Sequence, residues 1–273
     1  MLSLTDCLLP HWAAPARVRA LMSTRQGGVS APPFDTLNLR SPVAADLQAD
    51  LQADLSSAVA ENRRRFATAL GATPVWLRQV HGAEVVRLTP ELAAAHAPVM
   101  TADASVSSVP GLACTVLVAD CLPVLMCSRD GRAVAAAHAG WRGLAAGVLE
   151  RTVAELCEAG SCAPADVLAW LGACIGPDHF EVGSDVLQAF GVAPQAFDQP
   201  GFRFRPRLDG QARWLADLPG LARRRLRQAG VVHLSGGHWC TVADQSRYFS
   251  FRRDARVGSG AGGRMAAAIA IVR

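Results

Sequence analysis

The stretch Pro123-Val-Leu-Met-Cys-Ser-Arg-Asp-Gly-Arg-Ala-Val-Ala-Ala-Ala-His138 decides the fold. Two apolar runs, Pro123 to Cys127 and Ala133 to Ala137, flank Ser128-Arg-Asp-Gly131. An Asp-Gly pair between apolar runs is a hairpin signal, because glycine supplies the positive φ that such a turn requires. A turn centred on Asp130-Gly131 pairs position 123 with position 138. Cys121, in Ala119-Asp-Cys-Leu-Pro123, then lies at the same open end as His138, within reach of one ion. A slip of one residue keeps the two close but turns each side chain to the other face.

Other elements extend outward from this hairpin. Leu112 to Ala119 is a continuous β-branched and apolar run, the pattern of a buried strand, and Val167 to Leu171 is another. Val75 to Val80 and Glu84 to Leu88 read as strands on either side of His81-Gly82. After His138 the chain turns through Ala-Gly-Trp-Arg-Gly143 into a helix whose buried face is Ala145, Val148, Leu149, Thr152, Val153 and Leu156. Trp214 to Ala229 reads as a helix burying Leu215, Leu218, Ala222 and Leu226, with Arg223, Arg224, Arg225 and Arg227 as a solvated face. Tyr248 to Asp254 reads as a strand, Gly258 to Gly263 as a flexible loop, and the last segment as a strand running to Arg273. Ala45 to Leu55 repeats Ala-Asp-Leu-Gln nearly three times. Leu47, Leu51 and Leu55 form one helical stripe there, running into Asn62-Arg-Arg-Arg-Phe66. Strands and helices alternate irregularly, with hairpins mixed in. The expected fold is therefore α/β (α+β): one domain over residues 1–273, with packed mixed β-sheets flanked by helices.

Composition bounds the function. Hydrophobic residues make up 51% of the 273-residue chain and charged residues 18%, enough apolar surface for a large core. No apolar run is long enough to span a bilayer, and Met1 to Asp6 shows no basic n-region followed by an h-region. A cytoplasmic address without membrane partners is expected. All 27 basic residues are Arg, which excludes a lysine Schiff base or a Walker-type lysine. A net charge of +4, scattered Arg and 6% aromatics argue against a nucleic-acid track. The eight Cys include no Cys-x-x-Cys, so reduced thiols are expected rather than a disulfide framework or a zinc ribbon.

Three residues carry the chemistry: His81 in Gln79-Val-His-Gly82, Cys121, and His138 in His138-Ala-Gly-Trp-Arg-Gly143. Each sits where an extended apolar run breaks into a turn. Two imidazoles and a thiolate are ligands that Zn2+ accepts, and three protein ligands leave the open coordination position of a catalytic metal. Cu2+ is an alternative occupant of the same N/S site. Asp120, beside Cys121, is a candidate proton acceptor or ligand orienter, although on a strand its side chain points away from that of Cys121. Arg142, Arg25 and Arg252 are candidates to bind a phosphate dianion.

These motifs together resemble the bacterial laccase-domain family, also called YfiH-type or multicopper polyphenol oxidase. The resemblance rests on Arg25-Gln-Gly-Gly-Val-Ser30, Gln79-Val-His-Gly82, Ala119-Asp-Cys-Leu-Pro123, His138-Ala-Gly-Trp-Arg-Gly143, Ile175-Gly-Pro177 and Arg252-Arg-Asp254. It covers nearly the whole chain. It implies that His81, Cys121 and His138 are metal ligands and that Gln79 and Asp103 line the pocket; with Asp120 read from its place beside Cys121, the expected catalytic residues are Cys121, His138 and Asp120. It also implies a zinc-dependent purine nucleoside phosphorylase converting adenosine, inosine or methylthioadenosine to base plus sugar 1-phosphate, with adenosine deaminase activity. The partners are then purine nucleosides and phosphate. Two departures stand out: the Ala-Asp-Leu-Gln repeat looks inserted, and the Gly258 to Gly263 loop is longer than the family's Thr-Gly-Arg turn.

The residues leave other classes open. The resemblance also raises a role in editing peptidoglycan precursors. Cys121 with His138 or His81 as its base would suit a cysteine amidase or hydrolase acting on them. Copper-dependent phenol oxidation is disfavoured, because seven His without one His-x-His pair are too few for a trinuclear cluster plus a separate copper site. A non-catalytic binding protein would not need an open-position site on turns.

Overall fold

A computed structural model describes residues 2–40, 54–94, 96–256 and 262–272. Two large sheets face each other. The first has the order β1 (Cys7–Leu8), β2 (Val18–Ser23), β14 (Met265–Ile271), β6 (Leu112–Val118) and β3 (Thr73–Val75). The second runs β13 (His233–Gly236), β9 (Val167–Leu171), β7 (Leu122–Ser128), β8 (Val134–Ala139), β5 (Ala104–Ser107) and β4 (Val85–Arg87). A small sheet orders β10 (Glu181–Val182), β12 (Trp214–Ala216) and β11 (Phe202–Phe204). Each large sheet mixes parallel and antiparallel pairs, as expected of a mixed α/β fold.

The period-two pattern explains the layers. Along β14, Met265, Ala267, Ile269 and Ile271 face the second sheet, meeting Leu125, Cys127, Val134, Ala136 and Trp170. The intervening Ala266, Ala268 and Ala270 face the other way, onto Phe66 and Leu70 of α1 (Ser56–Leu70). Alanine at these positions lets the helix lie close to the sheet. On the outer face of the second sheet, Val124, Met126, Ala135 and Ala137 pack on Val148, Leu149, Val153 and Leu156. Those four belong to α3 (Val148–Gly160), which follows the one-turn α2 (Trp141–Ala145). Leu218, Leu221, Ala222 and Leu226 of α5 (Leu218–Gln228) join the same outer core, and α4 (Ser184–Ala189) adds Val186 and Leu187. Among the described residues no helix is long and apolar enough to cross a membrane.

The hairpin has the expected register, with Pro123 opposite His138. The Ser128 hydroxyl oxygen accepts from the Arg132 and Ala133 N–H groups, and Gly131 takes φ +69°, so the turn holds its own backbone.

Five expectations need correction. Trp214 to Ala229 is not one helix. Trp214–Ala216 pairs in the small sheet, and α5 starts only after Asp217, whose carboxylate accepts from the Gly220 N–H, with Pro219 in the first turn. The Arg residues of α5 are not simply solvated. Arg225 pairs with Glu150 at 2.9 Å, Arg224 donates to the Pro200 carbonyl and Arg223 to that of Gly236. Tyr248 to Asp254 is no strand: Phe251–Arg256 forms a helix, α6. The stretch Val75 to Val80 leaves the sheet after Val75, keeping one isolated bridge from Arg78 to Thr101. The helix expected from Ala145 is divided at Gly147, which takes φ +90°. Residues 45–53 of the repeat and 258–261 of the glycine loop lie outside the described residues. Leu55 immediately precedes α1 and is exposed.

Candidate metal centre

The three expected ligands converge. His138 ends β8, Cys121 precedes β7 at the same end, and His81 sits on the loop between β3 and β4. One donor atom from each lies within 4.8 Å of the others, with Cys121 Sγ 3.7 Å from His81 Nε2. A tetrahedral ion with Zn–S of ~2.3 Å and Zn–N of ~2.0 Å needs donor separations of roughly 3.3–3.6 Å, so small side-chain adjustments close the site. The two imidazoles meet edge to face, centroids 4.9 Å apart. His138 is buried, Cys121 half-buried and His81 exposed, so the cluster opens to solvent on the His81 side.

Asp103 organises the cluster. It is fully buried at the start of β5, beside His138, whose N–H donates to the Asp103 carbonyl at 2.7 Å. Its Oδ1 accepts from the His81 N–H at 2.9 Å and lies 2.8 Å from His138 Nδ1. Its Oδ2 accepts from the N–H groups of Val80 at 3.1 Å and Gly82 at 2.7 Å. An imidazole that donates from Nδ1 to a carboxylate presents a bare Nε2 to a metal, the usual support of a histidine ligand. The same carboxylate holds His81 at φ +60°, a left-handed conformation that costs a non-glycine residue about 1 kcal/mol. Asp103 therefore lies beneath the ligands and not in the pocket wall expected for it.

Two glycines make room. A Cβ on Gly140 would lie 2.8 Å from His81 Cδ2 and 3.0 Å from Cys121 Sγ. On Gly143 it would meet the Gly82 carbonyl oxygen at 2.6 Å, so α2 packs tightly on the His81 loop.

The charges are mutually supporting. Burial pushes the Cys121 thiol up, but the His138 imidazolium and hydrogen bonds from both imidazoles outweigh it and bring the pKa down to about 6. Burial likewise works against the His138 cation; the Cys121 thiolate and Asp103 overcome it and raise its pKa to about 9. Burial opposes the Asp103 carboxylate too, yet His138 and the loop N–H groups hold its pKa below the ordinary value. Elsewhere burial dominates: Cys7, Cys114 and Cys127 are pushed up to about 12.

The other expected site residues divide. Asp120, in a turn at φ +85°, directs its carboxylate away from the ligands. It accepts from the hydroxyls of Thr241 and Ser250 and, at 2.6 Å, from the Arg252 N–H. It thus ties α6 to the turn that carries Cys121, all of these contacts being structural ones. Gln79 exchanges two hydrogen bonds with the backbone of Leu117, at 2.9 and 2.7 Å, and so latches the loop to β6. Arg25 pairs with Asp35 at 3.2 Å and lies over Phe249. Arg252 donates to the Glu181 carbonyl and lies over Phe180. Arg142 is exposed, stacked on Trp141, and has no ion pair among the described residues. His233 contacts Arg129 and His238 stacks on Trp239; neither joins the cluster. Sequence reading leaves Arg264, after the lengthened glycine loop, without a place; it is half-buried and close enough to Cys121 and Asp120 to feel their charges. Its preceding glycine loop carries no ligand signature.

Residues 19–272 match the family described as multi-copper polyphenol oxidoreductase laccase. A purine nucleoside phosphorylase of Pseudomonas aeruginosa is 49% identical over 251 residues, 92% of this chain and 94% of that protein. The purine nucleoside phosphorylase YfiH of Escherichia coli K12 is 45% identical over 261 residues, 93% of this chain and 96% of its own. A solved structure from Neisseria meningitidis superposes with a TM-score of 0.82 at 41% identity, covering 98% of this chain and all of that one.

Proposed function

We propose, for a chain that belongs to the multi-copper polyphenol oxidoreductase laccase family, that it is a zinc-dependent purine nucleoside phosphorylase. Its substrates on this reading are adenosine, inosine or methylthioadenosine with phosphate, and its products the free base and a sugar 1-phosphate. The observation that carries the reading is the His81–Cys121–His138 cluster with Asp103 behind it, open on one side. Relatives named purine nucleoside phosphorylases, matched over nine-tenths of the chain, give the substrate class. Three donors of this softness suit Zn2+, with Cu2+ able to take the same place. A bound zinc ion would supply Lewis acidity at its open position.

The chain's own residues divide the remaining work. Asp103 fixes the tautomer of His138 and the orientation of His81. Cys121 supplies the anionic donor. Phosphate must reach C1′ of the sugar as the C1′–N bond to the base breaks, and a dianion calls for guanidinium forks. Arg142, exposed and without a carboxylate partner among the described residues, is the candidate we assign to it. Deamination of adenosine is a second activity of the same centre. Eight free thiols fit a reducing, cytoplasmic setting.

The test is product analysis of adenosine and inosine with the zinc-loaded protein, with and without phosphate, beside Cys121→Ala. Phosphate-dependent release of free base, lost in the variant, supports the reading; inosine formed from adenosine without phosphate supports the deaminase. No turnover with zinc bound would overturn it and bring forward the amidase reading.

A further inference from the structure

Among the Phe, Trp and Tyr side chains of the described residues, only Phe197 at 57% and Phe251 at 51% are largely exposed. A lone exposed ring is ordinary on a protein surface. Phe251 differs in where it is held. It opens α6, and its two neighbours in sequence both bind the Asp120 carboxylate: Ser250 through its hydroxyl at 3.1 Å and Arg252 through its N–H at 2.6 Å. The next residue after Asp120 is the ligand Cys121. A second anchor keeps this segment rigid, since Arg253 donates to the carbonyls of Tyr248 and Thr241 at 2.7 and 2.9 Å. An exposed phenyl ring is thus carried on a backbone tethered to the residue that precedes Cys121.

One side of the ring has a partner. The Arg264 guanidinium lies 5.9 Å from the Phe251 centroid. Arg264 itself is held through its backbone, its N–H donating to Asn38 Oδ1 at 2.9 Å and its carbonyl accepting from Leu39 at 3.0 Å. That contact engages one face of the ring and leaves the other for a ligand. Phe249, two residues earlier, is buried in the inter-sheet core, so the exposure of Phe251 is particular to its position.

We infer that Phe251, backed by Arg264, is the platform on which the purine base stacks while the sugar reaches the metal centre. This rests on the nucleoside reading above and deepens it: Phe251 is a base-binding residue that sets selectivity for planar heterocycles, and it takes no part in the chemistry. Stacking on an aromatic side chain tolerates any base with a π face, which fits adenosine and inosine alike.

The experiment compares wild type, Phe251→Ala and Phe251→Trp in zinc-loaded form. The Michaelis constants for inosine and phosphate are measured, with product inhibition by free hypoxanthine and by ribose 1-phosphate. Phe251→Ala should raise KM for inosine about tenfold and weaken hypoxanthine inhibition alike. KM for phosphate and inhibition by ribose 1-phosphate should stay as they are, and Phe251→Trp should restore base binding. A structural role for the ring would move all four constants together, and that outcome overturns the inference. So does an active wild type whose base constants are indifferent to Phe251→Ala. An inactive wild type sinks the nucleoside reading beneath. Equilibrium dialysis of hypoxanthine against wild type and Phe251→Ala then decides the platform on its own, equal binding or none overturning it.

Discussion

Asp103→Asn removes a charge and adds a donor without changing shape, and the structure says what that does. The carboxylate is fully buried, and each oxygen serves two partners. If the new amide nitrogen takes the Oδ2 place, it faces the N–H groups of Val80 and Gly82, two donors against a donor. In the Oδ1 place it faces the His81 N–H and His138 Nδ1. The second is the lesser conflict, because His138 can relieve it by moving its proton to Nε2. That tautomer offers no lone pair to a metal. Loss of an orienting carboxylate weakens metal binding by about 10–100-fold. The stranded His81 N–H costs folding stability about 1–3 kcal/mol, a large share of the roughly 5–15 kcal/mol a domain has. Competition with a zinc chelator reads the first effect and urea unfolding of the metal-free protein reads the second. Unchanged zinc affinity together with an unshifted urea midpoint would show that Asp103 does not position the ligands.

Gly140→Ala should leave the fold intact and weaken zinc binding, because its methyl lands 2.8 Å from His81 and 3.0 Å from Cys121 Sγ; chelator competition checks it, and wild-type affinity would contradict the packing. In the metal-free protein the Cys121 pKa is lowered to about 6 and that of His138 raised to about 9. The thiolate–imidazolium pair therefore stabilises the fold between these values; it is lost as pH falls through the first, when the thiolate protonates, and as pH rises through the second, when the imidazolium deprotonates. Iodoacetamide labelling of Cys121, followed by peptide mass spectrometry, should have its midpoint near the lower value without metal and be suppressed by zinc; a midpoint at the ordinary thiol value would refute the pairing. Metal analysis should find one zinc or one copper per chain, since the described residues hold one such cluster and all seven His are among them; tight binding of a second ion that survives Cys121→Ala would point to ligands elsewhere.

The hairpin was legible because its information is local. A period of two and an Asp-Gly turn point to the register that pairs 123 with 138, and Pro123 does face His138. The three residues of the cluster were legible for the same reason, as polar residues where apolar runs stop. What escaped was long-range. The α6 segment reads as a strand from its own side chains, Tyr248-Phe-Ser-Phe, yet a carboxylate 132 positions away binds its first turn. Asp103 reads as one polar residue before a strand; its partners at His81 and His138 are 22 and 35 positions distant. Asp120 on a strand would point away from Cys121, and it does so from a left-handed turn that no motif announces. The break before α5 could have been read: Asp217-Leu-Pro219 is a capping signal, overruled by helical spacing on both sides.

The same geometry contains a rival. Cys121, His138 and Asp103 stand in the order nucleophile, base, orienter, and a thiolate facing an imidazolium is the resting pair of a cysteine hydrolase. That assignment leaves His81 without a task. A triad needs one imidazole, while this site brings a second to 3.7 Å from the same sulfur and holds it in a left-handed conformation with a hydrogen bond from its N–H to Asp103. Strain accepted to deliver a second imidazole is intelligible for a metal and superfluous for acyl transfer. His81→Asn separates the two, since asparagine takes left-handed backbone readily and keeps the N–H to Asp103. Under the metal reading the variant folds, loses zinc affinity and stops phosphorolysis. If instead it keeps its activity while Cys121→Ala abolishes it, the thiolate is a nucleophile and the second imidazole a bystander.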